Sequence, residues 1–124
     1  EEEVLEGGEK RTVLRLPAAL APVKLAILPL VRKDGLDDKA KAIYDELKFD
    51  FNCQLDEKDS IGKRYRRQDA IGTPFCVTID HQTMEDDTVT LRHRDSMQQE
   101  RIAIRDLAQV LSEATSLKSL LRKI

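Results

Sequence analysis

Tryptophan is absent from this 124-residue chain, and three Phe and two Tyr are all its other aromatics. A surface built to stack many bases in a row is therefore disfavoured. Cysteine is almost as scarce. Cys53 and Cys76 both fall in predicted strands, and a domain of this size folds without staples, so a reduced, cytoplasmic protein is the simple reading. No signal peptide and no run of about 20 apolar residues is present, so no membrane segment is expected. The two histidines, His81 and His93, have no companion at metal-ligand spacing. Ile61-Gly62-Lys63 has part of a phosphate loop but neither the upstream glycine nor a Ser/Thr after the lysine. No carboxylate pair stands out from the acidic background, and no internal repeat or low-complexity tract occurs.

Charge, by contrast, is abundant: 35 % of residues are Asp, Glu, Lys or Arg, for a formal net charge of −2. Such a chain is one domain and no general polyanion binder; a nucleic-acid site on it has to be a patch. The patch is in residues 59–80, DSIGKRYRRQDAIGTPFCVTID, where four of the five residues from 63 to 67 are Lys or Arg. Asp59 or Ser60 suits the cap of a helix, Gly72 its left-handed end, and Pro74 blocks continuation. An apolar, β-branched strand follows at 75–79. About 100° per residue puts Ile61, Tyr65 and Gln68 on one side of the helix and Lys63, Arg66 and Arg67 on the other, with Arg64 on the flank. A solvated face is the bland alternative, but the run carries no interleaved acids for i,i+4 pairs.

Read in order, residues 1–22 are an acidic, Gly- and Pro-punctuated linker with one possible short strand at 12–16. Residues 23–28 (VKLAIL) fit a central strand that ends at Pro29. Leu36, Ala40, Ile43, Tyr44 and Leu47 follow helical spacing, with Asp34 and Asp37 available as caps. A second strand falls at 51–55. With the basic helix and the third strand this is β-α-β-α-β, which makes the first three strands parallel. Residues 81–87 read as a polar loop too short for a crossover, so the alternating run 88–94 should pair antiparallel as a hairpin. Ser96 with Gln99 reads as a capping box opening the last helix, whose stripe is Ala103, Ile104, Leu107, Ala108, Leu111 and Ala114. Leu117, Leu120, Leu121 and Ile124 extend it.

Strand periodicity puts Thr78 and Asp80 on one face of the third strand, and Thr90, Arg92 and Arg94 on one face of the fourth. Together they would make a platform of donors and acceptors. Guanidinium donors beside a carboxylate suit an unstacked cytosine, whose N3 and O2 accept and whose N4 amine donates. Ser96, at a helix start, would hold a phosphate. A polar sheet edge of no function remains open. So does a small α/β enzyme or ligand-binding domain with its site near Arg32, Asp56 and Asp80, at the carboxyl ends of the strands.

The segment SIGKRYRRQDAIGTPFCVTID, followed by TVTLRHRDSMQQERI, resembles the anticodon-binding domain of class II aminoacyl-tRNA synthetases over residues 20–114. This domain type is shared by the glycine, histidine, proline and threonine enzymes. LAPVKLAILPL, together with the two segments above, is most similar to the glycine enzymes of homodimeric type. The resemblance implies an α/β fold with a mixed five-stranded sheet and three helices, at residues 23–124, with 1–22 the exit from a catalytic domain. It implies the anticodon loop of tRNA(Gly) as ligand, and no catalytic residue, metal or cofactor in this domain. ATP and Mg²⁺ would serve a separate catalytic domain, whose motifs this chain does not contain. Arg92, Arg94 and Glu85 are the implied anticodon contacts, joined by Thr90 and Asp80 of the platform read from strand periodicity. Lys63, Arg64, Arg66 and Arg67 would grip the phosphate chain, and Asp69 and Ser96 complete the motif. The isolated domain is expected to be a monomer and the whole enzyme a homodimer. An accessory nucleic-acid-binding protein that borrowed this fold is the alternative.

Overall fold

The apolar runs become strands and the amphipathic runs become helices that cover them. A computed structural model describes residues 1–5, 8, 10–116 and 121. After an antiparallel pair, β1 (Glu2–Val4) and β2 (Lys10–Thr12), come β3 (Leu25–Pro29), α1 (Leu36–Leu47), β4 (Cys53–Leu55), α2 (Ile61–Ile71), β5 (Phe75–Ile79), α3 (His81–Asp86), β6 (Thr88–His93), β7 (Gln99–Ala103) and α4 (Leu107–Thr115). The five-stranded sheet has the order β4-β3-β5-β6-β7. β4 and β5 flank β3 in parallel, while β6 and β7 are antiparallel to their neighbours. Pro29, with no N–H to give, is the last residue of β3, where the next ladder donor is Leu30 N to Ile79 O.

Alternation divides the sheet into two unlike faces. Leu25, Ile27, Phe75, Val77, Ile79, Val89 and Leu91 form one core with Leu36, Ala40, Ile43 and Leu47 of α1 and Leu107 and Leu111 of α4. The opposite face is smaller and more polar. Ala26, Leu28 and Cys76 pack there beneath Ile61 and Tyr65 of α2. Ser60 caps α2 by accepting from Lys63 N, and Gly72 closes it in the left-handed conformation at φ 85°. A Cβ at Gly72 would lie 3.2 Å from Leu14, so the N-terminal arm also requires a glycine there.

Four expectations need correcting. First, residues 10–22 are no plain tether: Arg11, Val13 and Ala21 are buried, and Leu14 N donates to Asp69 O. Second, the polar loop at 81–87 is mostly α3. Asp80 accepts from Thr83 N while the Thr83 hydroxyl accepts from Asp80 N, a reciprocal cap with Thr in place of Glu or Gln. Third, Ser96 opens no helix. It lies in the turn between β6 and β7, its Oγ accepting from Gln98 N, and Gln99–Ala103 is the fifth strand. Its charged residues protect a sheet edge and disguise the strand. Fourth, α1 has no side-chain cap; Gly35 precedes it, although Asp37 and Asp38 do occupy its first turn. Leu121 is exposed, while Leu117, Leu120 and Ile124 lie outside the described residues.

Candidate nucleic-acid interface

Thr90 and Arg92 do share a face of β6, opposite Thr78 and Cys76 of β5. Where α2 lies over that face, it is closed. Arg92 is 3 % exposed. Its Nη1 and Nη2 donate to Asp69 Oδ1 and Oδ2 at 2.8 and 3.0 Å, and its guanidinium lies 4.6 Å from the centre of the Tyr65 ring. Arg11 reaches the same carboxylate from the N-terminal arm, with Nη1 3.0 Å from Asp69 Oδ2 and 2.8 Å from the Arg94 carbonyl. Arg94 is 4 % exposed and donates to the carbonyls of Gly72 and Leu16 and to Asp95. The expected open platform of Arg92 and Arg94 is thus corrected. Both guanidinium groups are committed to protein acceptors, as buried charges must be.

The basic helix divides in the same way. Arg64 is buried and donates to the carbonyls of Pro29, Asp56 and Leu30, so it is no phosphate contact. Burial lowers its pKa, offset in part by Asp56. Arg67 grips both oxygens of Asp56 and reaches Asp59. The interleaved acids sought within the helix come instead from the loop before it. Lys63 is exposed, and Arg66 is partly exposed with Nη1 3.9 Å from Asp69. These two, with the open side of Arg67, are the cationic surface α2 offers.

Beyond α2 the polar face opens. Leu30, Ile61, Tyr65, Thr78, Asp80, Thr90 and Gln99 line a shallow depression of about 320 Å³. Tyr65 Oη lies 2.6 Å from Thr78 Oγ1. Register places Arg101 of β7 directly opposite Thr90, and its guanidinium holds Asp80 through Nη1–Oδ2 at 2.7 Å and Nη2–Oδ1 at 2.8 Å. Those bonds hold the Asp80 carboxyl at a pKa of about 2, with the Thr83 bonds adding to the effect against burial. Both side chains of this pair are 26 % exposed. So the depression joins two of the expected anticodon contacts, Asp80 and Thr90. Glu85 is exposed on α3 and is not among its lining residues. Arg101 was missed because residues 96–103 read as a helix; a strand reading would have set it across from Thr90.

The enzyme-like site near Arg32 and Asp56 has a different character. Burial alone would raise the Asp56 pKa, but bonds from Arg67 and Gln68 hold it below the ordinary value. It is a fixed anion, not a poised base. Among the described residues no cluster of three His, Cys, Asp or Glu could hold a metal, and no helix is long and apolar enough to cross a membrane.

Residues 24–114 match the family model described as "Anticodon binding domain". A glycine–tRNA ligase of Treponema pallidum is 61 % identical over 104 residues, which cover 84 % of this chain and 22 % of that protein. Those of Borrelia hermsii and Clostridium tetani are each 58 % identical, over 85 % and 91 % of the chain and 24 % of their own length. The chain therefore spans about a quarter of the relatives it matches. Among solved structures, the RNA binding domain of threonyl-tRNA synthetase from Cryptosporidium parvum Iowa II superposes with a TM-score of 0.72 at 25 % identity, over 81 % of this chain and 25 % of that one. Prolyl-tRNA synthetase from Cryptosporidium parvum shares the fold, with a TM-score of 0.73 at 21 % identity over 88 % of this chain and 25 % of that one. A mixed sheet with this order, a basic helix across its polar face and a family match over most of its length lead to one conclusion: the chain belongs to the anticodon-binding domain family.

Proposed function

We propose that this domain is the anticodon-binding domain of a glycyl-tRNA synthetase and binds the anticodon loop of tRNA(Gly) in the depression between Ile61, Tyr65 and Asp80. The observation that carries the reading is the composition of that depression. Leu30 and Ile61 form an apolar wall for an unstacked base, and Asp80, Thr90 and Gln99 form a polar wall for its edge. Lys63 and Arg66 on α2 would hold the sugar–phosphate chain. Glycine anticodons share two cytosines, and a carboxylate fits their N4 amines. Arg92 supports the site from below, through Tyr65, in place of meeting a base itself.

The domain performs no bond chemistry on this reading. It contributes specificity, while a catalytic domain beyond these residues attaches glycine with ATP and Mg²⁺. The assembled enzyme is a cytoplasmic homodimer and this domain alone a monomer. Identity of 58–61 % to glycine–tRNA ligases supports this reading over that of an accessory protein. The test is a titration of the chain with an RNA hairpin bearing the glycine anticodon loop and with hairpins substituted at the cytosines, at two salt concentrations. The expected result is a preference of about 1–3 kcal/mol for cytosine, little changed by salt, on top of a salt-dependent affinity. Equal binding of all hairpins would reject the reading.

A further inference from the structure

We infer that Arg101 is the residue that fixes the preference for cytosine, by holding the Asp80 carboxylate as an acceptor beside the Thr90 hydroxyl on one base edge. The inference rests on the reading above and extends it to a residue outside the expected contacts. One atom carries it: Arg101 Nη1 donates both to Asp80 Oδ2, at 2.7 Å, and to Thr90 Oγ1, at 3.0 Å. The other donors are taken up nearby. Nε goes to Thr88 Oγ1, and Nη2 to Asp80 Oδ1, Thr83 Oγ1 and the Thr88 carbonyl. A guanidinium this fully engaged has no donor left for a ligand, so Arg101 is a positioning residue.

Its effect on the two neighbours is directional. Asp80 Oδ1 receives Thr83 N, Thr83 Oγ1 and Arg101 Nη2. Among the described residues only Arg101 donates to Oδ2, which keeps lone-pair capacity for one more donor. Thr90 Oγ1 accepts from Arg101, which orients the hydroxyl and leaves its proton available to donate. Both groups line the depression. An acceptor beside a donor matches a base edge that offers an amine beside a ring nitrogen, which cytosine has. Uracil presents the opposite order, a carbonyl beside N3–H. Uracil therefore sets its carbonyl against the Asp80 carboxylate, acceptor against acceptor, which is the repulsive element of the discrimination.

The experiment measures the chain's affinity for the cytosine hairpin and for the same hairpin with uracil at the corresponding position, in the wild type, R101A and R101K. Thermal unfolding of each variant shows that it is folded at the titration temperature. In R101A the cytosine-to-uracil affinity ratio is expected to fall about tenfold, by weakening of the cytosine hairpin alone, with the uracil hairpin bound as before. R101K keeps the charge but not the fork, and is expected to lose most of the preference with an unchanged salt slope. T90V, which removes the hydroxyl and with it one acceptor of Arg101, is expected to lower the ratio as well. Full wild-type selectivity in folded R101A or R101K overturns the inference, as does equal weakening of both hairpins, which marks a merely structural residue. A wild-type chain without preference overturns the anticodon reading and this inference together; a discriminating wild type with an equally discriminating R101A overturns the inference alone.

Discussion

Two arginine–aspartate forks lie on the same face of the sheet, and they do different work. Arg92 and Asp69 make one, Arg101 and Asp80 the other; each joins two guanidinium nitrogens to two carboxylate oxygens at 2.7–3.0 Å. Their strands are neighbours, with Thr90 opposite Arg101 and Arg92 opposite Gln99. What separates them is the cover. The first has side chains 3 % and 0 % exposed, closed between α2, the sheet and the N-terminal arm; the second is 26 % exposed on both sides, at the rim of the depression. Identical chemistry thus serves as a fastening where water is excluded and, on the proposed reading, as a template for ligand where water reaches it. Deep burial makes a fork indispensable without making it strongly stabilising, because desolvation cancels much of the attraction.

The comparison breaks most visibly at Asp69. Replacing it with alanine leaves Arg92 and Arg11 without their shared carboxylate, and the cost is expected at about 3–5 kcal/mol in urea or guanidinium unfolding. A loss below 1 kcal/mol would mean that water or Glu3 takes over, and the buried fork would be no fastening at all. A milder probe is Arg92→Lys. One ammonium cannot serve both oxygens, so about 2 kcal/mol of stability should go while the cytosine preference of the folded protein persists. If R92K instead keeps its stability and loses the preference, Arg92 reads the base and the buried assignment of its role is wrong.

Acid sharpens the contrast at the open fork. Asp80 is held at about 2 from an ordinary 3.8. Its folded value is depressed, so its contribution is present at pH values above 3.8 and is lost as pH falls through 2. After allowance for solvent screening that contribution is about 1–2 kcal/mol. Wild type and R101A should therefore differ by that amount at pH 6 and converge toward pH 2. A gap that does not change across this window would show that Arg101 acts by packing and not through the Asp80 charge.

Much of this arrangement was legible from local signals. The run at 75–79, a cap at Asp59 or Ser60 with Gly72 closing α2, and the alternation of 88–94 each follow from backbone preference and side-chain period; all three stand, with Ser60 the cap and β6 ending at His93. Alternation also put Thr90 and Arg92 on one face. It carries no information on where the covering helix stops, and Arg92 and Thr90, two residues apart, fall on opposite sides of that line. Nor does local pattern reveal long-range partners. Arg11 meets Asp69 across 58 positions and Arg94 meets Leu16 across 78, so a stretch that looks like linker turns out to hold buried charge. β7 was hidden for a third reason. Its exposed Gln99 and Glu100 suit a helix as well as an edge strand, and the Ser96–Gln99 spacing imitates a helix cap.

The smallest expected effect on stability falls on α2, and it separates the two uses of charge within one helix. Arg64 lies under the loop carbonyls, whereas Lys63, its neighbour in sequence, is exposed. Lys63→Ala should change unfolding free energy by less than about 0.5 kcal/mol, since it removes a surface group and puts a better helix former in its place. If Lys63 neutralises a phosphate, its loss weakens cytosine and uracil hairpins equally and reduces the slope of log affinity against log salt by about one unit. The cytosine preference proposed for Asp80 and Thr90 should then be left intact. That pairing of outcomes is what distinguishes a backbone grip from a base reader: R101A alters the ratio and keeps the slope, K63A alters the slope and keeps the ratio. A lysine whose removal leaves both unchanged would return the exposed side of α2 to ordinary solvated surface, with the RNA held by the depression alone.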